Sequence, residues 1–97
     1  AVILVYSNPT GVAASSTFPG VQNLLLSARA LGLGTVLTTL HADVMEQVNT
    51  MFGVPTEMVF HCCIPIGYPR GNFGPTSRLP TSATTSWDRW GNPPPWK

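Results

Sequence analysis

Charged side chains are scarce in this chain. Five Lys and Arg and four Asp and Glu among 97 residues leave 9% charged, against roughly 25% in an average soluble domain. The formal net charge of +1 removes the electrostatic case for a nucleic-acid partner. With so few acids, no paired carboxylates or Ser-His-Asp set stands out. No apolar run is long and clean enough for a membrane span: residues 21–40 have the length but are interrupted by Gln22, Asn23, Ser27 and Arg29. Cysteine is limited to the neighbours Cys62 and Cys63. Adjacent residues on a strand point to opposite faces, so a disulfide between them is strained. Reduced thiols and a cytoplasmic location are the simpler expectation.

What is abundant is apolar surface and chain-breaking residues. Hydrophobic residues make up 43%, with nine Gly and ten Pro. A lone domain of this size has a large surface to cover, and charged residues normally cover it. Too few exist here, which predicts that apolar surface is buried against something outside these residues. A preceding half, a second copy, or both would serve. "AVILVY" carries no Met, basic leader or cleavage pattern and reads as a strand entered mid-fold.

The pattern along the chain predicts few elements. Residues 1–6 form an apolar Val/Ile run expected to be a strand buried on both faces. "SNPTG" is turn chemistry. Ser15, Ser16 and Thr17 offer helix caps, and Pro19 is tolerated in a first turn. A helix is then expected to about Leu31. Val21, Leu24, Leu25, Ala28 and Leu31 form one apolar face, and Leu26, Ala30 and Leu33 make the other side apolar too. Gly32 and Gly34 are read as its stop. Residues 35–40 are β-branched and extended. Asp43 and Glu46 have capping-box spacing before a helix over residues 44–52 that stops at Gly53. Residues 59–66, "VFHCCIPI", are expected to be a buried strand, with Pro65 at an edge or exit. Beyond Gly67 the chain is rich in Gly, Pro, Ser and Thr. Residues 81–97 form a separate arm and a Pro-rich, mobile tail.

Candidate chemistry is sparse. Gly32-Leu33-Gly34 follows a helix rather than a strand and lacks a third glycine, so it is no dinucleotide fingerprint. His61-Cys62-Cys63 lacks a second ligand pair, and buried inert thiols are the better reading. His41 with Asp43 is a weaker metal candidate still. Arg29 is either a snorkelling surface residue or an interface partner, the former preferred. Arg78, among turn residues, is a solvated loop arginine on chemistry alone, although its guanidinium could grip a phosphate with paired donors. Arg89, between Trp87 and Trp90 and next to Asp88, is expected to stack and form an ion pair that pins the arm.

The ordered set "FPGVQNLLLSARALGLGT", "FGVPTEMVFHCCIPIGYP" and "RLP" resembles the C-terminal half of the FMN-dependent nitroreductase family. The likeness spans residues 1–80, taken as a partial domain. It implies an α+β fold with a mixed sheet flanked by helices, and an intertwined homodimer with FMN at the interface. It also implies hydride transfer from NAD(P)H through the flavin to nitroaromatic, quinone or similar acceptors. Residues 36–40 resemble the segment along the isoalloxazine ring, with Leu37, Thr38 and Thr39 as contacts. Amides and hydroxyls there would stabilise charge on the reduced ring rather than move protons. Arg78 resembles the arm arginine that binds the FMN phosphate; Thr76 stands where many relatives have a second basic residue. The family's N-terminal arginine-rich phosphate motif is not among these 97 residues, which alone are expected to bind FMN weakly or not at all. The alternative reading is a non-catalytic, dimerising remnant of the fold.

Overall fold

The computed structural model describes residues 1–39 and 42–96. In chain order it contains β1 (Val2–Ser7), α1 (Ala13–Ala30), β2 (Gly34–Thr35), a 3-10 turn (Ala42–Val44), α2 (Met45–Phe52), β3 (Val59–Gly67) and a second 3-10 turn (Thr81–Ala83). The strands form one sheet in the order β1-β3-β2. Both ladders are antiparallel, so the mixed sheet expected of the whole fold is antiparallel across these three strands. β1 is an edge strand and only half-buried, not covered on both faces.

The core is small and lies between α1 and the sheet. Val21, Cys62 and Ile64 are buried together, with Ile3, Val5, Leu24 and Leu25 packed around them. The residues come from one face of α1 and alternate positions of β1 and β3, the two periodicities that put side chains on one side. Each fully buried aliphatic chain contributes about 1.5–3 kcal/mol. The helix face ends at Ala28: Leu31 is 76% exposed. Leu26, on the second apolar side, is 58% exposed. The two faces read from the sequence are therefore real, but this chain covers only one.

The opposite side of the sheet is held differently. Tyr6 donates its hydroxyl hydrogen to Asn49 Oδ1 at 2.7 Å and meets Phe60 edge-on at 5.6 Å. This pins α2 to the sheet, while Met51 and Phe52 on α2 stay exposed.

Helix ends follow backbone logic more than side-chain capping. α1 begins at Ala13 after Val12, with no side-chain cap. Ser15 sits inside the helix and donates back to the Val12 carbonyl at 3.0 Å, and Pro19 lies within the helix rather than in its first turn. Asp43 is not a cap either; Val44 precedes α2 without a side-chain cap bond. The C-termini match expectation better. Gly32 takes φ +78°, Gly32 N–H donates to the Arg29 carbonyl and Leu33 N–H to the Ala28 carbonyl. That is a Schellman closure, which the left-handed residue makes possible. Gly53, at φ 65°, closes α2 the same way, with Val54 N–H on the Asn49 carbonyl.

Much apolar surface remains uncovered. The accessible surface is 7729 Å², whereas a compact chain of 10.4 kDa exposes about 5400 Å². The radius of gyration is 17.9 Å, against about 12.5 Å for a compact domain of this length. Both quantities describe a chain more extended than a compact domain of its length.

Candidate functional site

The segment after Gly34 owes its shape to one proline. Gly34 pairs with Gly67 and Thr35 with Ile66, and Thr38 bridges Cys63 in the same register. Val36 and Leu37 therefore stand opposite Pro65 and Ile64. On β3, Ile66 exchanges hydrogen bonds with Ala1 on the β1 side. Backbone groups alternate along a strand, so residue 65 faces β2, where proline has no N–H to give. The ladder lapses there, and β2 is only two residues long. Pro65 thus sits in the central strand, not at its edge or exit, and the β2-side gap is how the sheet accommodates it.

The register resumes at Thr38. Its N–H donates to the Cys63 carbonyl at 2.9 Å, and its carbonyl accepts from Cys63 N–H at 2.8 Å. Thr38 has thus spent its backbone groups on the sheet. By the same alternation, Leu37 and Thr39 direct theirs away from β3, towards the open edge of β2. The Thr39 carbonyl accepts from Ala42 N–H at 3.2 Å. Leu37 and Thr39 are exposed and Thr38 is half-buried. Three of the four residues singled out in the sequence therefore share one strand edge. The next residues of that segment, Leu40 and His41, lie outside the described residues, and with them the His41–Asp43 pairing.

Arg78 is the fourth, and it stands apart. It is exposed in the arm, with its Nη1 donating to the Ser77 carbonyl at 3.2 Å. No described contact joins it to residues 37–39.

Beside the strand edge lies a groove of about 530 Å³, lined in part by Gly34, Val36, Ile66, Tyr68 and Phe73. Gly34 is here for closeness, not for helix termination: a Cβ on it would lie 3.3 Å from Phe73 Cζ and 3.6 Å from the Gly67 carbonyl oxygen. The Arg29 guanidinium carbon sits 4.7 Å from the Phe73 ring centroid, within cation–π range. Arg29 is thus a surface residue with a definite partner. The sequence offered no sign of Phe73, since the contact spans 44 positions and has no local pattern.

The His61-Cys62-Cys63 run is structural. The β1–β3 register shifts between Val5 and Tyr6, leaving His61 as the extra residue of a β-bulge. Its Nε2 lies 2.7 Å from Ser7 Oγ, and Phe18 meets its ring edge-on. Both cysteines are free and buried. Burial raises the Cys62 thiol pKa, with the neighbouring Cys63 thiol adding to the rise; that suits an inert core side chain. Among the described residues no group of His, Cys, Asp and Glu could hold a metal, and no helix is long and apolar enough to cross a membrane.

The C-terminal arm folds on itself. Trp87 meets Trp96 edge-on at 5.4 Å, rather than stacking on Arg89. Trp96 Nε1 donates to Thr81 Oγ1 at 3.3 Å, and Pro94 is buried. The Pro-rich tail expected to be mobile is therefore folded back. Asp88 adopts φ 62° in a turn where Arg89 N–H donates to the Trp87 carbonyl. This backbone turn replaces the expected Asp88–Arg89 ion pair. Trp90 is left 99% exposed.

Comparison with known proteins places this arrangement. The model of the nitroreductase family matches residues 7–68. A Methanothermobacter thermautotrophicus protein named NADH dehydrogenase/NAD(P)H nitroreductase is 40% identical over 55 residues, which are 55% of this chain and 29% of that protein. Two crystal structures with the same designation share the fold. The Bacteroides thetaiotaomicron protein superposes with TM-score 0.80 at 26% identity, over 92% of this chain and 55% of its own. The Parabacteroides distasonis protein gives TM-score 0.79 at 26% identity, over the same fractions. The chain thus spans about half the length of these structural relatives, and their likeness extends beyond residue 68 into the arm. With its family model matched over most of its length and its α+β architecture shared with these structures, the chain belongs to the nitroreductase family.

Proposed function

We propose that this chain forms part of an FMN-dependent oxidoreductase site, with the edge of residues 37–39 lying along the flavin ring. The observation that carries this reading is the backbone polarity of that edge. The Thr38–Cys63 exchange turns the Leu37 and Thr39 amides outward, where they can donate to an electron-rich ring. Donors fixed by a sheet need no reorganisation when charge develops, which is how preorganised amides stabilise an anion. Leu37 adds an apolar surface for the ring, and the Thr39 hydroxyl a further donor. Thr38 contributes by holding the register. Arg78 is suited to the phosphate by its forked donors, which only a neighbour's carbonyl engages in part.

Bound FMN would supply the redox chemistry, accepting a hydride from NAD(P)H and passing it to a nitroaromatic, quinone or similar acceptor. The residues described here carry no acid–base step; their work is to orient the ring and favour its reduced, charged form. A homodimer accounts for the uncovered apolar side of α1, in line with the surface excess of about 2300 Å², which is within the range of obligate dimer interfaces.

The alternative is a dimerising, non-catalytic remnant. The observation favouring it is Arg78, which stands alone where many relatives of the resembled family carry two basic residues. Protein made from the complete reading frame separates the two readings. The flavoenzyme reading expects yellow protein, saturable FMN binding and NAD(P)H oxidation in the presence of a quinone or nitro compound. Protein that stays colourless after FMN titration contradicts it and leaves the remnant.

A further inference from the structure

The arm between β3 and the second 3-10 turn has little to hold it. Among the described residues, the only hydrogen bond of residues 68–79 is the local one from Arg78 to the Ser77 carbonyl. Its one ring contact is Phe73, under the Arg29 guanidinium at 4.7 Å and against Gly34, where no Cβ intervenes. We propose that Arg29 is a positioning residue: by clasping Phe73 against the α1–β2 turn, it delivers Arg78 to the flavin phosphate. This rests on the phosphate role proposed above for Arg78.

Chain length shows why the clasp matters. Arg78 is eleven residues from Gly67, where β3 ends, but five from Phe73. An extended residue spans at most about 3.6 Å, so the clasp cuts the reach of Arg78 from about 40 Å to about 18 Å. The local concentration of a tethered group falls roughly as the −3/2 power of tether length. Shortening eleven residues to five therefore raises it about three-fold. Arg29 is suited to the task because it is exposed and lies in the last turn of α1, where the helix dipole favours a cation. It orders the arm without burying a charge.

The test uses protein from the complete reading frame, with FMN affinity read by flavin fluorescence and arm order read by the rate of tryptic cleavage after Arg70. Arg29→Ala is expected to weaken FMN about three-fold and to speed cleavage. Arg29→Lys, which keeps a cation over the ring, is expected to restore most of both. Phe73→Ala should match Arg29→Ala, and the double variant should be no worse than either. The discriminating background is Arg78→Ala, in which Arg29→Ala should add no further loss of affinity. A loss that persists in that background marks Arg29 as merely structural and overturns the inference. Unchanged affinity or unchanged cleavage in Arg29→Ala, beside weakened binding in Arg78→Ala, overturns this inference alone. Unchanged affinity in Arg78→Ala overturns both this inference and the phosphate role it rests on.

Discussion

Thr38 and Cys63 exchange both backbone hydrogen bonds, at 2.9 and 2.8 Å, across a ladder that Pro65 has interrupted two residues away. This one pair sets which amides of the 36–39 segment face the sheet and which face outward. The register fixes backbone direction, and backbone direction decides what the edge can bind.

Gly32 and Gly34 are two positions apart but have different roles. Gly32→Ala places a side chain at φ +78°, where left-handed backbone costs an L-residue about 1–2 kcal/mol. That loss of stability should appear in urea unfolding, with arm proteolysis little changed. Gly34→Ala keeps an ordinary φ but pushes on Phe73 at 3.3 Å. It should speed tryptic cleavage after Arg70 while lowering global stability less than Gly32→Ala. Equal effects from the two substitutions on both measurements would contradict this division.

The Cys62 thiol gives a pH signature. Its folded pKa is raised by burial and then by Cys63, so the folded state favours the protonated form. The stabilisation is complete below the ordinary thiol value of about 8.5 and is lost as pH rises through the higher folded value. Stability measured from pH 7.5 to 10.5 should fall, and Cys62→Ala should flatten that slope while lowering stability at every pH. A slope unchanged in the variant would assign the alkaline loss elsewhere, with Tyr6, whose hydroxyl pKa burial also raises, the next group to examine.

Leu26 and Leu31 are apolar and more than half exposed. If a second copy covers them, Leu26→Glu removes about 1.5–3 kcal/mol of burial and adds a charge to the interface. Sedimentation should then show at least a ten-fold weaker dimer, with α1 helicity retained. A dimer of unchanged affinity would remove this face from the interface.

Thr76 precedes Arg78 by two positions, where many members of the resembled family have a base. Thr76→Lys should tighten FMN binding, and Arg78→Ala should weaken it by about 1.5–3 kcal/mol, the range for a hydrogen bond to a charged group. Isothermal titration with FMN and with riboflavin, which lacks the phosphate, checks both. The two effects should vanish with riboflavin, and effects of equal size on both ligands would contradict phosphate contact.

The sequence was most legible where structure is local. The helix stops at Gly32 and Gly53 and the apolar faces of α1 are periodic or conformational signals, and each is present. So is the strand of residues 59–66; of the extended run expected over residues 35–40, Thr35 and Thr38 pair with β3, and Leu40 lies outside the described residues. The errors have non-local causes. Ser15 and Asp43 looked like caps because their residue types favour that role, yet the helices start after Val12 and Val44, with no side-chain cap bond. Pro65 looked like an edge residue because no single strand reveals that its neighbour's ladder lapses beside it. Gly34 looked like part of a stop because its real constraint, Phe73, lies 39 residues on. The Trp87–Trp96 contact was hidden in the same way behind the nearer Arg89.

The most direct test of the central claim is the FMN dissociation constant of Thr39→Pro measured beside that of Thr39→Ala. Proline removes the outward amide hydrogen together with the hydroxyl and leaves the Thr38–Cys63 exchange in place; alanine removes the hydroxyl but keeps the amide hydrogen, so the difference between the two variants reports the amide. If the edge amide donates to the flavin ring, Thr39→Pro weakens binding about ten-fold or more and Thr39→Ala weakens it far less. Wild-type affinity in a folded Thr39→Pro protein would contradict the account.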